Sequence, residues 1–255
     1  METITFVTEI LLMATYLALA IGLYIFFIFI TLLNKSKYSN KNINEDNTPT
    51  IKILNILVLF TFILAIARSF YFMFISDIIS TAFLLIFYAL FLISSFYIFN
   101  LTNKLSIMNI KSVKDNNNRD YVIYVYWLVY FFLNLFFIMN MPDSNLLVSQ
   151  QLFSLFSQLF LGSTLILIAF LQINYSKNKF VFWLLLVAGL MLPIGVTINI
   201  AGYSIFSSNY LLVKLTDSLI KFIASVLFLT GMMKLTRLTY LKLDGYYKDH
   251  IGKKK

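Results

Sequence analysis

The chain has no cysteine, a single histidine and few charged residues, and each of these absences removes a class of function. Without cysteine, the protein has no disulfide, no thiolate nucleophile, no iron–sulfur cluster and no palmitoylation site. The one histidine, His250, lies near the C-terminal end. Histidine-ligated zinc or haem and a serine–histidine dyad are therefore not expected within the apolar part of the chain.

Charged residues make up 12% of the 255 residues and hydrophobic ones 60%, a balance that excludes an ordinary soluble domain. A helix needs roughly 20 apolar residues to cross a bilayer, and the chain has seven such runs. Residues 1–233 are therefore predicted to form an all-α integral membrane protein, a seven-transmembrane-helix bundle in the lipid bilayer of the cell membrane. The predicted spans are residues 5–33, 53–75, 78–100, 121–141, 147–173, 180–202 and 209–233.

Basic residues are confined to alternate connections between these spans. Of the 20 Lys and Arg residues, all but three lie in the connections that follow spans 1, 3 and 5 and in the C-terminal segment. The segments 76–77, 140–145 and 202–208 contain none. By the positive-inside rule, this pattern predicts an external N-terminus and a cytoplasmic C-terminus. The net charge of +9 thus reflects topology, and no binding to nucleic acid is expected.

Residues 234–255 are predicted to form a basic amphipathic cytoplasmic tail. Leucines alternate there with lysine and arginine, a pattern typical of a helix that lies on a membrane surface and binds anionic inner-leaflet lipid. The inner connections 34–50 and 102–120 are polar and are predicted to be solvated linkers. The short outer connections predict that consecutive spans pack as antiparallel neighbours.

The last span carries polar side chains at helical spacing. Lys214, Asp217 and Lys221 fall on one face together with Ser218 and Ser225, and this face is expected to point inward. A charge at bilayer depth costs about 2.5–3.5 kcal/mol and is interpreted first as functional. Asp217 precedes Lys221 by four residues, the favourable order for an ion pair. The structural alternative is a self-neutralised pair that only packs the bundle.

Depth within the bilayer predicts a second partner for Asp217. Arg68 in span 2 and Asp217 both lie about 6 Å outward of the midplane, at 1.5 Å of rise per residue. Asp217 is then shared by Arg68 and Lys221, which leaves one net positive charge; alternatively, Arg68 extends to the outer surface toward Asp77. Asp217 is the only carboxylate expected deep in any span, so paired-carboxylate hydrolysis is not expected.

Spans 5 and 6 add polar and helix-bending residues. Gln151, Ser154 and Gln158 share one face of span 5, which fits either hydrogen bonding between helices or one wall of a polar pocket that opens outward. In span 6, Pro193 removes a backbone hydrogen bond and predicts a kink one turn earlier. Pro193 and Gly195 are therefore candidate hinge residues.

The topology and the Asp-x-x-x-Lys spacing of the last span resemble those of the microbial rhodopsins. In that family the lysine forms the Schiff base of retinal and the aspartate is part of its counterion, roles that the resemblance gives to Lys221 and Asp217. The resemblance covers only the topology and these positions, because span 3 has no carboxylate and span 6 offers only Pro193 and a distant Trp183. A light-driven pump is not expected, whereas an opsin-like retinal binder remains an alternative.

No catalytic motif accompanies these residues, so the protein is not expected to be an enzyme. The main prediction is a sensor or receptor-like protein with a polar pocket in its outer half. Such a protein needs a protein partner, because these 255 residues contain no recognisable output domain. The alternatives are a small transporter or channel-like protein that uses Arg68, Asp217 and Lys221 to bind substrate or couple ions, and a structural subunit of a membrane complex.

Overall fold

Seven α-helices make up the part of the chain that the computed structural model describes. The described residues are 2–35, 41–70, 77–109, 113–139, 145–176, 178–205 and 210–251. The helices are α1 (Glu2–Lys35), α2 (Lys41–Phe70), α3 (Asp77–Asn109), α4 (Val113–Ile138), α5 (Asn145–Ser176), α6 (Lys179–Ile205) and α7 (Tyr210–Ile251).

Five of the helices contain segments that are long and apolar enough to cross a membrane. These segments are Ile4–Leu32, Ala82–Ile107, Lys114–Ile138, Val148–Gln172 and Lys179–Gly202. Within the described residues, α2 has a shorter apolar segment, Lys52–Leu64, and α7 carries three charged side chains in its first half. The all-helical architecture is consistent with the helical membrane protein that the composition predicts.

Six helices form a closed ring, and α4 packs on its outside. Around the ring, α1 packs on α2, α2 on α3, α3 on α5, α5 on α6, α6 on α7 and α7 on α1. The fourth helix lies against α5 and α6. The prediction that each span packs on the next therefore fails for the pair α3 and α4, because α3 packs on α2 and α5 instead.

Small side chains let α5 pack closely against its neighbouring helices. Ser157, Gly162 and Ser163 are buried, and small residues let neighbouring membrane helices approach closely. A Cβ added to Gly162 would lie 2.6 Å from the carbonyl oxygen of Gly189 in α6, and one added to Gly189 would lie 2.7 Å from that of Gly162. By contrast, α4 exposes large apolar side chains around much of its surface, among them Tyr121, Tyr124, Leu128, Phe132 and Phe136.

Helices extend beyond the predicted spans on the side of the basic connections. Because α2 begins at Lys41 and α3 continues to Asn109, parts of the predicted linkers 34–50 and 102–120 are helical. The sequence analysis did not predict this helical structure, and the solvation of these segments stays a prediction. Apolar length sets how much of a helix the bilayer can accommodate, whereas the backbone hydrogen bonds of the helix continue into polar sequence.

The predicted tail is continuous with α7. At 1.5 Å per residue, the 42 residues of α7 have a length of roughly 60 Å, about twice the thickness of a bilayer core. At the start of this extension, the ammonium of Lys234 lies 4.4 Å from the ring centroid of Phe180 in α6. The helix thus connects the membrane bundle directly to the basic segment 234–251, and residues 252–255 of the tail lie outside the described residues.

Candidate functional site

A polar cavity of about 160 Å³ lies between five helices at one end of the bundle. Its walls come from the first turns of α1, α3, α5 and α7 and from the last turns of α6. Because the chain reverses direction at each connection, the odd-numbered helices all begin at this end. The lining residues are Glu9, Leu12, Leu84, Tyr88, Gln150, Gln151, Ser154, Asn199, Lys214, Asp217 and Lys221.

The charged pair predicted on α7 lies in the wall of this cavity. Lys221 Nζ is 2.7 Å from Asp217 Oδ1 and donates a hydrogen bond of 2.8 Å to Asp217 Oδ2. Both side chains are only 4% exposed. Ser218 and Ser225 on the same face are also buried, and their hydroxyls donate to carbonyl oxygens of their own helix. The polar face predicted from helical spacing therefore points into the bundle.

A second ion pair, which the sequence reasoning missed, joins α1 to α7. Lys214 Nζ donates to Glu9 Oε1 at 3.2 Å, and the Glu9 side chain is 7% exposed while that of Lys214 is 30% exposed. The helix α1 begins at Glu2 and carries Glu9 about two turns inside it. Glu9 is therefore a second buried carboxylate beside Asp217. Glu9 and Lys214 lie at similar distances from the starts of predicted spans 1 and 7, which begin on the same side of the membrane. That similarity is the signal in the sequence that could have paired them.

Amide side chains from α5 and α6 complete the polar wall. Asn199 Nδ2 donates a long hydrogen bond of 3.4 Å to Gln151 Oε1, and Ser154 lies one turn further along α5. Asn199 Oδ1 is buried and has no hydrogen-bond partner among the described residues. Leaving a buried acceptor unpaired costs about 1–3 kcal/mol. This oxygen is therefore an acceptor in the cavity wall that the described residues leave unpaired.

Gly195 allows α6 to approach the aspartate of α7. A Cβ at this position would lie 2.5 Å from Asp217 Oδ1 and 2.9 Å from the backbone carbonyl oxygen of Asp217. Relief of the second contact requires the two helices to separate, because a backbone atom cannot rotate away as a side chain can. Gly195 thus contributes close packing at the ion pair, and the hinge role of Pro193 and Gly195 stays a prediction.

Pro193 lies inside α6, and tyrosine hydroxyls of α4 approach α6 near the hydrogen bond that the proline cannot make. Proline has no N–H to donate to the carbonyl of Gly189, four residues earlier. Tyr126 OH lies 3.4 Å from that carbonyl oxygen and 3.5 Å from the backbone carbonyl oxygens of Gln158 and Leu159, any one of which can accept its single proton. Tyr130 OH donates to the carbonyl oxygen of Leu190 at 2.9 Å. These tyrosines fix the otherwise peripheral α4 to the proline-containing part of α6.

Aromatic side chains pack together further along α1 and α3 than the cavity-lining residues. About one turn deeper than Leu12 and Leu84, Tyr16 of α1 packs edge-on against Phe87 and Phe91 of α3, with ring centroids 5.2 Å apart in both pairs. All three rings are buried. A cavity of about 160 Å³ is similar in size to the roughly 150 Å³ site that holds benzene. This space fits a small molecule and is less than the long polyene of retinal needs.

One residue predicted to bind a ligand, Gln158, is not among those that line the cavity. Gln158 is buried about one turn beyond Ser154, where its carbonyl oxygen lies 3.5 Å from Tyr126 OH. Arg68 is near the end of α2, but its side chain lies outside the described residues, so the sharing of Asp217 with Arg68 stays a prediction. The described cavity contains two lysines and two carboxylates, whose charges balance.

The arrangement is suited to hold a small polar molecule by charge and hydrogen bonding. The two lysine ammonium groups are donors, and the carboxylates and the Asn199 amide oxygen are acceptors. Among the described residues, no group of three or more His, Cys, Asp or Glu side chains is placed to hold a metal ion. Comparison of the chain with protein-family models, with curated proteins and with solved structures found no match.

Proposed function

We propose that the protein is a receptor-like sensor of the cell membrane that binds a small polar molecule in this cavity and acts on a partner protein. In this proposal all seven helices cross the membrane, with the N-terminus outside and the C-terminus in the cytoplasm. The distribution of basic residues between alternate connections supports that orientation. The cavity then lies in the outer half of the membrane, and the protein acts by binding, without catalysis.

The observation that carries the proposal is a buried, charged cavity where apolar side chains would serve stability equally well. Replacing a buried ion pair with apolar residues is often neutral or stabilising by about 1–4 kcal/mol. Packing alone therefore does not explain the pair of Asp217 and Lys221. The cavity beside the pair and the unpaired Asn199 oxygen both support a bound ligand.

The seventh helix supplies a direct connection from the cavity to the cytoplasmic side. It carries Lys214, Asp217 and Lys221 near one end and continues unbroken to Ile251 at the other. A ligand that contacts these charges changes the position of α7 relative to its neighbours α1 and α6. The basic extension 234–251 is the proposed contact for anionic inner-leaflet lipid and for the protein partner.

A small transporter is the second candidate, and one observation favours it. In α6, Pro193 leaves the carbonyl of Gly189 without its helical N–H donor, and Gly195, two residues after the proline, packs closely against Asp217. Interrupted helices beside charged groups at mid-membrane are typical of transporter substrate sites. Under this alternative, Arg68, Asp217 and Lys221 bind substrate or couple ions.

Four small probes that share a three-carbon skeleton test binding to the purified protein in lipid nanodiscs: L-alanine, lactamide, propionate and isopropylammonium. We expect at least one probe to raise the melting temperature in a saturable way, because a ligand at 100 times its Kd stabilises the folded state by about 2.7 kcal/mol. Asn199→Leu should remove this effect. Asn100→Leu changes an exposed asparagine far along α3 and should leave it intact.

Uptake of the same probe into proteoliposomes separates the two candidates. A receptor binds the probe and does not accumulate it in the vesicle lumen. Accumulation that depends on Asp217 would establish the transporter instead. If none of the four probes stabilises the wild-type protein, the proposal of a ligand-binding cavity is wrong.

A further inference from the structure

We propose that the ligand of the cavity is a small zwitterion, a molecule the size of a short amino acid that carries one ammonium and one carboxylate group. This inference rests on the proposed function, which requires only that the cavity bind some small polar molecule. It is carried by the charge balance of the cavity, by its unpaired donors and acceptors, and by its size.

The charges of the described residues that face the cavity favour a ligand without net charge. Glu9 and Asp217 oppose Lys214 and Lys221, and both pairs have direct ionic contacts. A ligand with a single charge would leave one charge uncompensated in surroundings of low dielectric constant, which is unfavourable. An electrically neutral ligand keeps the balance that the side chains already have.

The hydrogen-bonding groups favour a ligand with both a strong acceptor and a strong donor. Each lysine ammonium has three N–H donors, and among the described residues Lys221 Nζ contacts only the two oxygens of one carboxylate. A donor therefore remains for a ligand carboxylate. On the acceptor side, Asn199 Oδ1 has no partner among the described residues, and Asp217 Oδ1 touches Lys221 Nζ without hydrogen-bond geometry.

A zwitterion forms stronger hydrogen bonds with these groups than an uncharged polar molecule does. Hydrogen bonds between charged partners are roughly twice as strong as those between neutral ones, so a carboxylate at the lysines and an ammonium at Asp217 and Asn199 gain more than a hydroxyl and an amide. Leu12 and Leu84 form the apolar part of the lining. They provide space for a short apolar side chain, and the volume of about 160 Å³ limits its length.

The affinities of the four probes test the inference, measured by calorimetry on the protein in nanodiscs. L-alanine carries both charges, lactamide carries none, and propionate and isopropylammonium carry one each. We expect alanine to bind with a Kd at least tenfold lower than that of each of the others. Equal or tighter binding of lactamide, propionate or isopropylammonium overturns the zwitterion and leaves the proposed function intact. Absence of binding by all four contradicts both.

A matched pair of variants shows whether alanine binds in this cavity. Leu84→Phe fills the cavity with an apolar ring and should weaken alanine binding at least tenfold. Leu90→Phe makes the same change on the same helix at an exposed position and should leave the Kd unchanged. Unchanged alanine affinity in Leu84→Phe would overturn the assignment of the zwitterion to the cavity.

Discussion

Removal of the Asp217 charge is expected to destabilise the protein strongly. In Asp217→Asn, the Lys221 ammonium remains buried, with its side chain 4% exposed, and loses the carboxylate oxygen that lies 2.7 Å away. Breaking a buried ion pair by removing one partner costs about 3–5 kcal/mol, because an uncompensated charge is left in the interior. We expect a loss of this size in the free energy of unfolding.

Glu9→Gln is the matched control, since it removes a carboxylate from the same cavity by the same change in chemistry. Its partner Lys214 is 30% exposed, so water can solvate the ammonium that remains. Ion pairs accessible to water contribute about 1 kcal/mol or less. The two carboxylate variants should therefore differ by about 2 kcal/mol or more in their free energies of unfolding.

The double variant Asp217→Leu/Lys221→Met tests the same reasoning in the opposite direction. It replaces the buried pair with apolar side chains of similar size, a change that is often neutral or stabilising. The double variant should be more stable than Asp217→Asn and close to wild type. It should also lose ligand binding, because the cavity no longer has this pair of charges.

Unfolding of all four proteins in the same detergent, followed by circular dichroism during heating and during titration with dodecyl sulfate, measures these differences. Small and equal losses in Asp217→Asn and Glu9→Gln would show that water reaches Lys221 freely. A double variant less stable than Asp217→Asn would show that the cost does not come from an uncompensated charge. Either result refutes the description of Asp217 and Lys221 as a buried, mutually dependent pair.

Three other experiments test separate parts of the structure. Gly195→Ala should lower the free energy of unfolding by about 1–3 kcal/mol, because its Cβ meets backbone of α7; Gly231→Ala, whose Cβ meets only leucine side chains, should cost less in the same thermal assay. Tyr126→Phe should lower the free energy of unfolding by about 0.5–1.5 kcal/mol in the wild-type background. The loss should be smaller in a Pro193→Ala background, where residue 193 again has a backbone N–H for the carbonyl of Gly189. Equal losses in both backgrounds would contradict a hydrogen bond from Tyr126 to that carbonyl. A reporter fused to the C-terminus should be active in the cytoplasm, and activity outside the cell would refute the orientation.

The helical periodicity of the last span made its part of the site predictable. Lys214, Asp217 and Lys221 recur at intervals of three and four residues, and no other face of that helix carries charges at this depth. The spacing also predicted the ion pair of Asp217 and Lys221 that the structure contains. Gln151 and Ser154 were likewise placed on a face of span 5 that lines the cavity.

Other parts of the site depend on packing between helices that are distant in sequence. Glu9 and Lys214 are separated by 205 residues, and Asn199 meets Gln151 only because α5 and α6 are neighbours in the ring. The exclusion of α4 from the ring was not predictable for a related reason. In a membrane both the inward and the outward faces of a helix are apolar, so hydrophobic periodicity carries little information about which helix is peripheral.

The most direct test of an outward-facing ligand cavity uses the absence of cysteine from the chain. Gln150→Cys places the only thiol in the cavity wall, and Lys104→Cys places one at an exposed position near the other end of α3. A membrane-impermeant maleimide applied to intact cells should label Gln150→Cys, and saturating L-alanine should slow that reaction severalfold. Lys104→Cys should react only after the cells are permeabilised. Labelling of Lys104→Cys from outside, with Gln150→Cys unreactive until permeabilisation, would contradict both the orientation and the accessible cavity.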